Sequence, residues 1–141
     1  MASHRINLRG PWDFLWLRST DISLVPISET GTVNMPKDWQ SVFGLISGTS
    51  RFRRKFHRPT NLDPHEQVMI VFTEIRGAGT IRLNDQPVGS FTASERSVEF
   101  EITAFLKPFN ELEVEIEFAA KQEPAEAGGL FGVVALEIRS T

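Results

Sequence analysis

Cysteine and tyrosine are both missing from the 141 residues. Without thiols there is no disulfide, no cysteine nucleophile and no cysteine-ligated zinc, and the redox compartment stays open. An excess of positive charge is missing too, with 15 Lys and Arg against 18 Asp and Glu for a net charge of −3. A nucleic-acid footprint needs a basic stripe, so no nucleic-acid partner is expected. No window approaches the ~20 apolar residues of a membrane-spanning helix, so no membrane partner is expected either. The stretch from Met1 to Pro11 lacks the ~7–15 apolar residues of a secretory signal, which makes the cytoplasm the expected location. Histidine is scarce and scattered, at His4, His57 and His65, with no metal-ligand spacing. No metal or cofactor is expected. Length removes one enzyme architecture as well, because a (β/α)8 barrel takes ~250 residues and seldom fewer than ~200.

What is present is ordinary globular composition, 40% hydrophobic and 23% charged. At roughly 100–200 residues per domain, residues 1–141 read as one domain. The dominant period is two. From Glu111 to Phe118 glutamates alternate with Leu112, Val114, Ile116 and Phe118. On a strand this separates four carboxylates from four apolar side chains, whereas a helix would smear them around its circumference. Further strands are expected at 14–18, 32–35, 51–58, 68–75, 80–83, 87–91, 97–103 and 130–138, punctuated by Gly and Pro. Asn84, Asp85 and Gln86 form the short polar loop of a hairpin. Only 104–107 suggests a helical turn, ended by Pro108. The stretches 40–50 and 121–129 read as the least structured. Gly44, Gly48, Gly128, Gly129 and Gly132 read as turn or bulge residues. Many short strands at near-regular spacing indicate an all-β fold, an antiparallel β-sandwich or jelly roll.

Two charged strands are complementary. Arg51, Arg53, Lys55 and His57 share one face, and they match the glutamates of 111–118 if the two strands lie side by side. The opposite face of the basic strand carries Phe52, Arg54 and Phe56. A guanidinium between two inward aromatics needs a partner, and Glu74 or Glu137 could supply it. Trp12, Trp16 and Trp39 lie near loops, where they could stack on sugar rings or pack inside. Tyrosine, common on carbohydrate-binding surfaces, offers no help.

Six segments in order resemble the N-terminal sugar-binding jelly roll of glycoside hydrolase family 2, the β-galactosidases, β-glucuronidases and β-mannosidases. Leu8-Arg9-Gly10-Pro11-Trp12-Asp13-Phe14 is similar to the family's opening L-x-G-x-W-x-F. Val33 to Trp39 is similar to V-P-x-x-W, and Phe52-Arg53-Arg54-Lys55-Phe56 to Y-x-R-x-F with Phe for Tyr. Ile81 to Gly89 resembles the hairpin V-x-L-N-G-x-x-V-G, with Asp85 in place of its Gly. Phe100 to Leu106 with Asn110 to Val114 resembles F-D-I-T-x-x-L and N-x-L-x-V. Gly128 to Leu136 resembles G-G-I-x-R-x-V-x-L, with Gly132 where the family carries Arg.

The resemblance implies a galactose-binding-domain-like sandwich whose loops face the sugar. On this chain those loops present Asp38, Trp39, Gln40, Arg76, Glu123, Glu126 and Phe131. Catalysis in that family belongs to a separate barrel, so this chain is expected to be a non-catalytic carbohydrate-binding module. The alternative is a structural or assembly module, paired with itself or with a companion protein. A small glycosidase using loop carboxylates is the third reading.

Overall fold

The alternating segments form strands, and facing rows of apolar side chains bring the strands together as two sheets. The structure, a computed structural model, describes residues 3–121 and 126–140. The strands are β1 (Ser3–Asn7), β2 (Trp12–Ser19), β3 (Thr30–Val33), β4 (Gly48–His57) and β5 (Glu66–Phe72). They continue with β6 (Ala78–Leu83), β7 (Gln86–Phe91), β8 (Val98–Glu101), β9 (Phe109–Phe118) and β10 (Val134–Ser140). One sheet has the order β1-β10-β5-β8, the other β3-β2-β4-β9-β6-β7. Every strand pair is antiparallel. The fold is an antiparallel β-sandwich of jelly-roll type.

The two charged strands do pair. In the β4–β9 ladder Arg51 faces Glu115, Arg53 faces Glu113 and Lys55 faces Glu111. The Arg53–Glu113 ion pair keeps that register at 3.0 Å, while Arg51 Nε reaches diagonally to the same carboxylate at 3.9 Å. The same pairing turns Phe52, Val114, Ile116 and Leu112 into the core, all at most 2% exposed. Arg54 lies in that inward row but meets neither Glu74 nor Glu137. Its Nη1 donates to the carbonyl of Lys55, and its buried Nε has no partner among the described residues. Burial lowers the guanidinium's pKa.

Glu137 is occupied elsewhere. On β10, Val134, Leu136 and Ile138 point into the core, so Glu137 stands on the outer face of the four-stranded sheet. It accepts from Arg5 Nε at 2.6 Å and from Arg139 Nε at 2.5 Å. Arg139 in turn grips Glu99 with both terminal nitrogens, at 3.0 and 2.6 Å. The chain of charges staples β1, β10 and β8 across the sheet. Hydrogen bonds from Arg139, then from Arg5, hold the Glu137 carboxyl below its usual range, and the bond from Arg139 does the same for Glu99.

The stretch expected to be least structured contains a short helix, α1 (Trp39–Phe43). Five residues cannot sustain a helix by propensity, so tertiary packing holds it. Trp39 and Phe43, four apart, fall on one face and are each 1% exposed. Phe43 touches Phe14, Trp16 and Phe52, with ring centroids 5.4, 4.8 and 6.0 Å away. Trp39 lies 5.6 Å from Trp16 and 5.4 Å from Phe118, and its Nε1 donates to the Ile46 carbonyl at 2.8 Å. The ring is thereby fully satisfied inside the protein.

Other differences from expectation are local. β1 was hidden by its mixed polar sequence, Ser3-His4-Arg5-Ile6-Asn7. The expected turn at 104–107 is a 3-10 turn at Thr103–Phe105. The stretch 130–133 is not strand, because Leu130 and Val133 give their carbonyls to the amides of Lys37 and Thr73. Among the described residues no helix is long and apolar enough to cross a membrane.

Two measurements follow from this packing. Trp39→Ala should cost about 3–5 kcal/mol in denaturant unfolding. Gln40→Ala, next to it but exposed, should stay within about 0.5 kcal/mol. Glu99 and Glu137 have folded pKa values below their unfolded ones, so the unfolded chain binds more protons as the medium turns acid. Their contribution is complete above about pH 4.3 and is lost as pH falls through the lowered folded values. Melting temperatures followed from neutral to acid pH should therefore drop below that point. Glu137→Gln should be less stable at neutral pH and show a shallower acid decline; an unchanged acid limb would refute the assignment.

Candidate functional site

The residue pair Gly128-Gly129 organises the loop end of the sandwich. A Cβ on Gly128 would lie 2.3 Å from the Phe118 ring. Gly129 has φ +67, and a Cβ there would come 3.2 Å from Trp39. Only glycines let this backbone slide between the two rings. Once there, Gly128 O accepts from Trp39 N–H at 3.0 Å, and Gly129 exchanges both backbone bonds with Arg76 at 2.9 and 3.1 Å. Three chain segments, 37–39, 74–76 and 126–132, are tied together at this point.

Asp38 stands at the N-cap of α1, yet its carboxylate does not cap the helix. Its Oδ1 instead accepts from Gly128 N–H at 3.0 Å, a bond spanning ninety residues of sequence. On the other side of the glycines, Arg76 Nη1 meets Glu126 Oε2 at 2.5 Å. The hydrogen bond from Arg76 holds the Glu126 carboxyl below its usual range. Arg76 Nε is buried with no partner among the described residues. A groove of ≈ 260 Å3 opens beside this pair, and Arg96 and Lys121 add two further cations to its wall.

Of the seven residues expected at the site, the structure thus gathers Asp38, Arg76 and Glu126 around one backbone junction. Gln40 is exposed on α1, and Phe131 is half-buried just beyond the junction. Trp39 does not fit the expectation of a sugar platform. It is 1% exposed, and its ring faces are taken by Trp16, Phe43 and Phe118. The aromatic–aromatic contacts and the covered indole N–H outweigh exposure. Glu123 lies outside the described residues. Arg96 and Lys121 escaped the sequence reading, because isolated cations in polar loops carry no pattern.

The arrangement can hold polar groups but is poorly suited to acid–base chemistry. A glycosidase needs a carboxylic acid with a raised pKa beside a second carboxylate. Glu126 is engaged by a guanidinium, which favours its ionised form, and Asp38 accepts from a backbone amide. Among the described residues no group of three or more His, Asp or Glu could hold a metal ion. A second groove, ≈ 550 Å3, lies at the opposite end of β4 and β9 between Arg54, His57, Asn84 and Phe109. None of the expected site residues lines it.

Comparison with known proteins agrees with this architecture. No curated protein matches the chain in sequence. Among solved structures, a Bacteroides fragilis protein assigned as a β-galactosidase aligns with TM-score 0.76 at 19% identity, over 99% of this chain and 24% of its own. A Bifidobacterium dentium β-glucuronidase complexed with coumarin-3-O-glucuronide aligns with TM-score 0.75 at 16% identity, over 99% and 30%. A Bacteroides uniformis β-glucuronidase aligns with TM-score 0.72 at 21% identity, over 97% and 18%. The chain spans less than a third of each of these proteins, and at such identities the likeness concerns the fold. The family model described as "Glycosyl hydrolase 2 galactose-binding domain-like" matches residues 45–129, more than half of the chain. With the jelly roll, the Gly-Gly junction and the loop end in place, the chain belongs to the glycosyl hydrolase 2 galactose-binding domain-like family.

Proposed function

We propose that the chain is a non-catalytic module that binds carbohydrate through the end carrying Asp38, Arg76 and Glu126. The observation that carries this reading is the convergence of charged side chains from three separate segments on the Gly128-Gly129 junction. Sugar hydroxyls both donate and accept, so they suit carboxylates and guanidinium donors held on a pinned backbone. Phe131, half-buried, supplies the apolar contact for a ring face. Several proteins of the same fold are β-glucuronidases, and the ligand class is inferred from them. With Trp39 turned inward, the apolar platform is small, and millimolar affinity is expected.

An assembly role is the second reading, for a pairing with another copy or a companion protein. It is favoured by the inward Trp39 and by exposed apolar side chains between β2 and β3, Ile22 at 94%, Val25 at 79% and Ile27 at 71% exposure.

Chemical-shift mapping with galactose, glucuronic acid and mannose separates the two. Carbohydrate binding should move amides at 38–40, 76 and 126–131. Silence at high millimolar sugar, with light scattering showing a dimer, would favour assembly. Aryl β-galactosides, β-glucuronides and β-mannosides should remain unhydrolysed. Turnover by pure protein, abolished by Glu126→Gln or Glu123→Gln, would overturn the non-catalytic assignment.

A further inference from the structure

A third groove, ≈ 530 Å3, lies where the β1–β2 turn meets the segment between β3 and α1. Its volume falls within the ~300–1,000 Å3 of small-molecule sites. Its polar wall is Asn7, Arg9, Asn34 and Lys37, all exposed, and its floor includes Met35 and Val134, which are 3% and 2% exposed. The wall is held from behind by backbone bonds. Leu8 N–H donates to Val134 O at 2.8 Å, Met35 N–H to Arg9 O at 2.6 Å, and Lys37 N–H to Leu130 O at 3.1 Å.

The charge of this groove is of one sign. The chain carries a net −3, yet the groove is lined by two cations and no carboxylate. Five arginines, Arg5, Arg51, Arg53, Arg76 and Arg139, each meet an acid within 4 Å, while Arg18, Arg58 and Lys107 meet none among the described residues. Among the described residues Arg9 and Lys37 meet none, and no side-chain hydrogen bond engages them, Asn7 or Asn34. Four exposed polar side chains therefore surround an apolar floor with no protein partner among the described residues. Two like charges held on one rim, with no acid in ion-pair contact, focus a positive field.

We infer that this groove is a subsite for the anionic group of an acidic sugar, a hexuronate. The inference rests on the carbohydrate reading above and names the class of sugar. Arg9 and Lys37 supply charge-assisted hydrogen bonds to a carboxylate, which are roughly twice as strong as neutral ones. The amides of Asn7 and Asn34 donate and accept, as vicinal hydroxyls require. Pro36, exposed at the rim, offers the C–H face of the ring an apolar contact. The subsite adjoins the loop end directly, because Lys37 precedes Asp38 and the bond from Lys37 to Leu130 ties the rim to the Gly-Gly junction.

The test is an NMR titration of the full chain with D-glucuronate, D-glucose and acetate at low salt. Glucuronate should shift the amides of Arg9, Asn34, Lys37 and Val133 saturably, bind about tenfold more tightly than glucose, and weaken as salt is added. Arg9→Gln with Lys37→Gln should remove that preference while leaving any glucose shifts at 38–40, 76 and 126–131 unchanged. Both side chains are exposed, so the melting temperature should hold. Glucuronate no better than glucose, or a preference that survives the double substitution, would overturn the inference. Acetate binding as tightly as glucuronate would overturn it too, since that marks a bare carboxylate trap. Shifts in the groove without any at the Asp38–Arg76–Glu126 end would uphold the subsite and count against that end. Glucose shifts at that end without a glucuronate preference would do the reverse.

Discussion

The passage of Gly128 and Gly129 between the rings of Trp39 and Phe118 is the constraint on which this end of the molecule depends. Trp39 reaches that place only because α1 forms, and α1 forms only because Trp39 and Phe43 have a wall of aromatic side chains to cover. Its five residues are too few for a self-supporting helix. The glycines then lock to Trp39 on one side and to Arg76 on the other through backbone bonds. Asp38 gives up the capping of its own helix to hold Gly128. Packing, backbone conformation and the position of the charged groups are therefore one coupled arrangement.

Away from this junction, charge is used to pair strands. The β4–β9 ladder places basic and acidic residues opposite each other on the solvent face while aliphatic and aromatic side chains meet inside. Exposed pairs of this kind contribute little energy each, so their main effect is on register: a slip by one residue would bury carboxylates. The Arg5–Glu137–Arg139–Glu99 chain differs, because Glu137 is 7% exposed and accepts from two guanidinium groups. Losing either arginine would leave a buried carboxylate short of a partner.

These uses of charge bear on function. Carboxylates are abundant, but Asp38 and Glu126 at the loop end are already engaged, by a backbone amide and a guanidinium. Two of the cations that meet no acid among the described residues, Arg9 and Lys37, lie on the neighbouring rim. Both stand at variable positions inside segments that resemble the family pattern, so a reading built on the pattern's fixed residues passes over them. The fold supplies the scaffold, and its chemistry depends on what each loop adds.

The sequence by itself determined the sandwich, the partnership of β4 with β9, and the order of segments that marks the family. These features are legible because period-two alternation and complementary charge are local patterns, readable along one strand or between two. The resemblance to the family also implied one loop end carrying Asp38, Trp39, Gln40, Arg76, Glu123, Glu126 and Phe131. Tertiary structure alone decided which way Trp39 faces, since the same residue can stack on a ligand or fill a core, and the rings of Trp16, Phe43 and Phe118 come from separate segments. It decided the fate of Arg54, whose inward position was readable but which meets neither Glu74 nor Glu137, the second being held by Arg5 and Arg139 on the outer face of the other sheet. It also decided that 39–43 is helical and that Gly128 and Gly129 pass between two rings. Long-range contacts of this kind depend on which loops meet in space, and no spacing along the chain encodes that meeting.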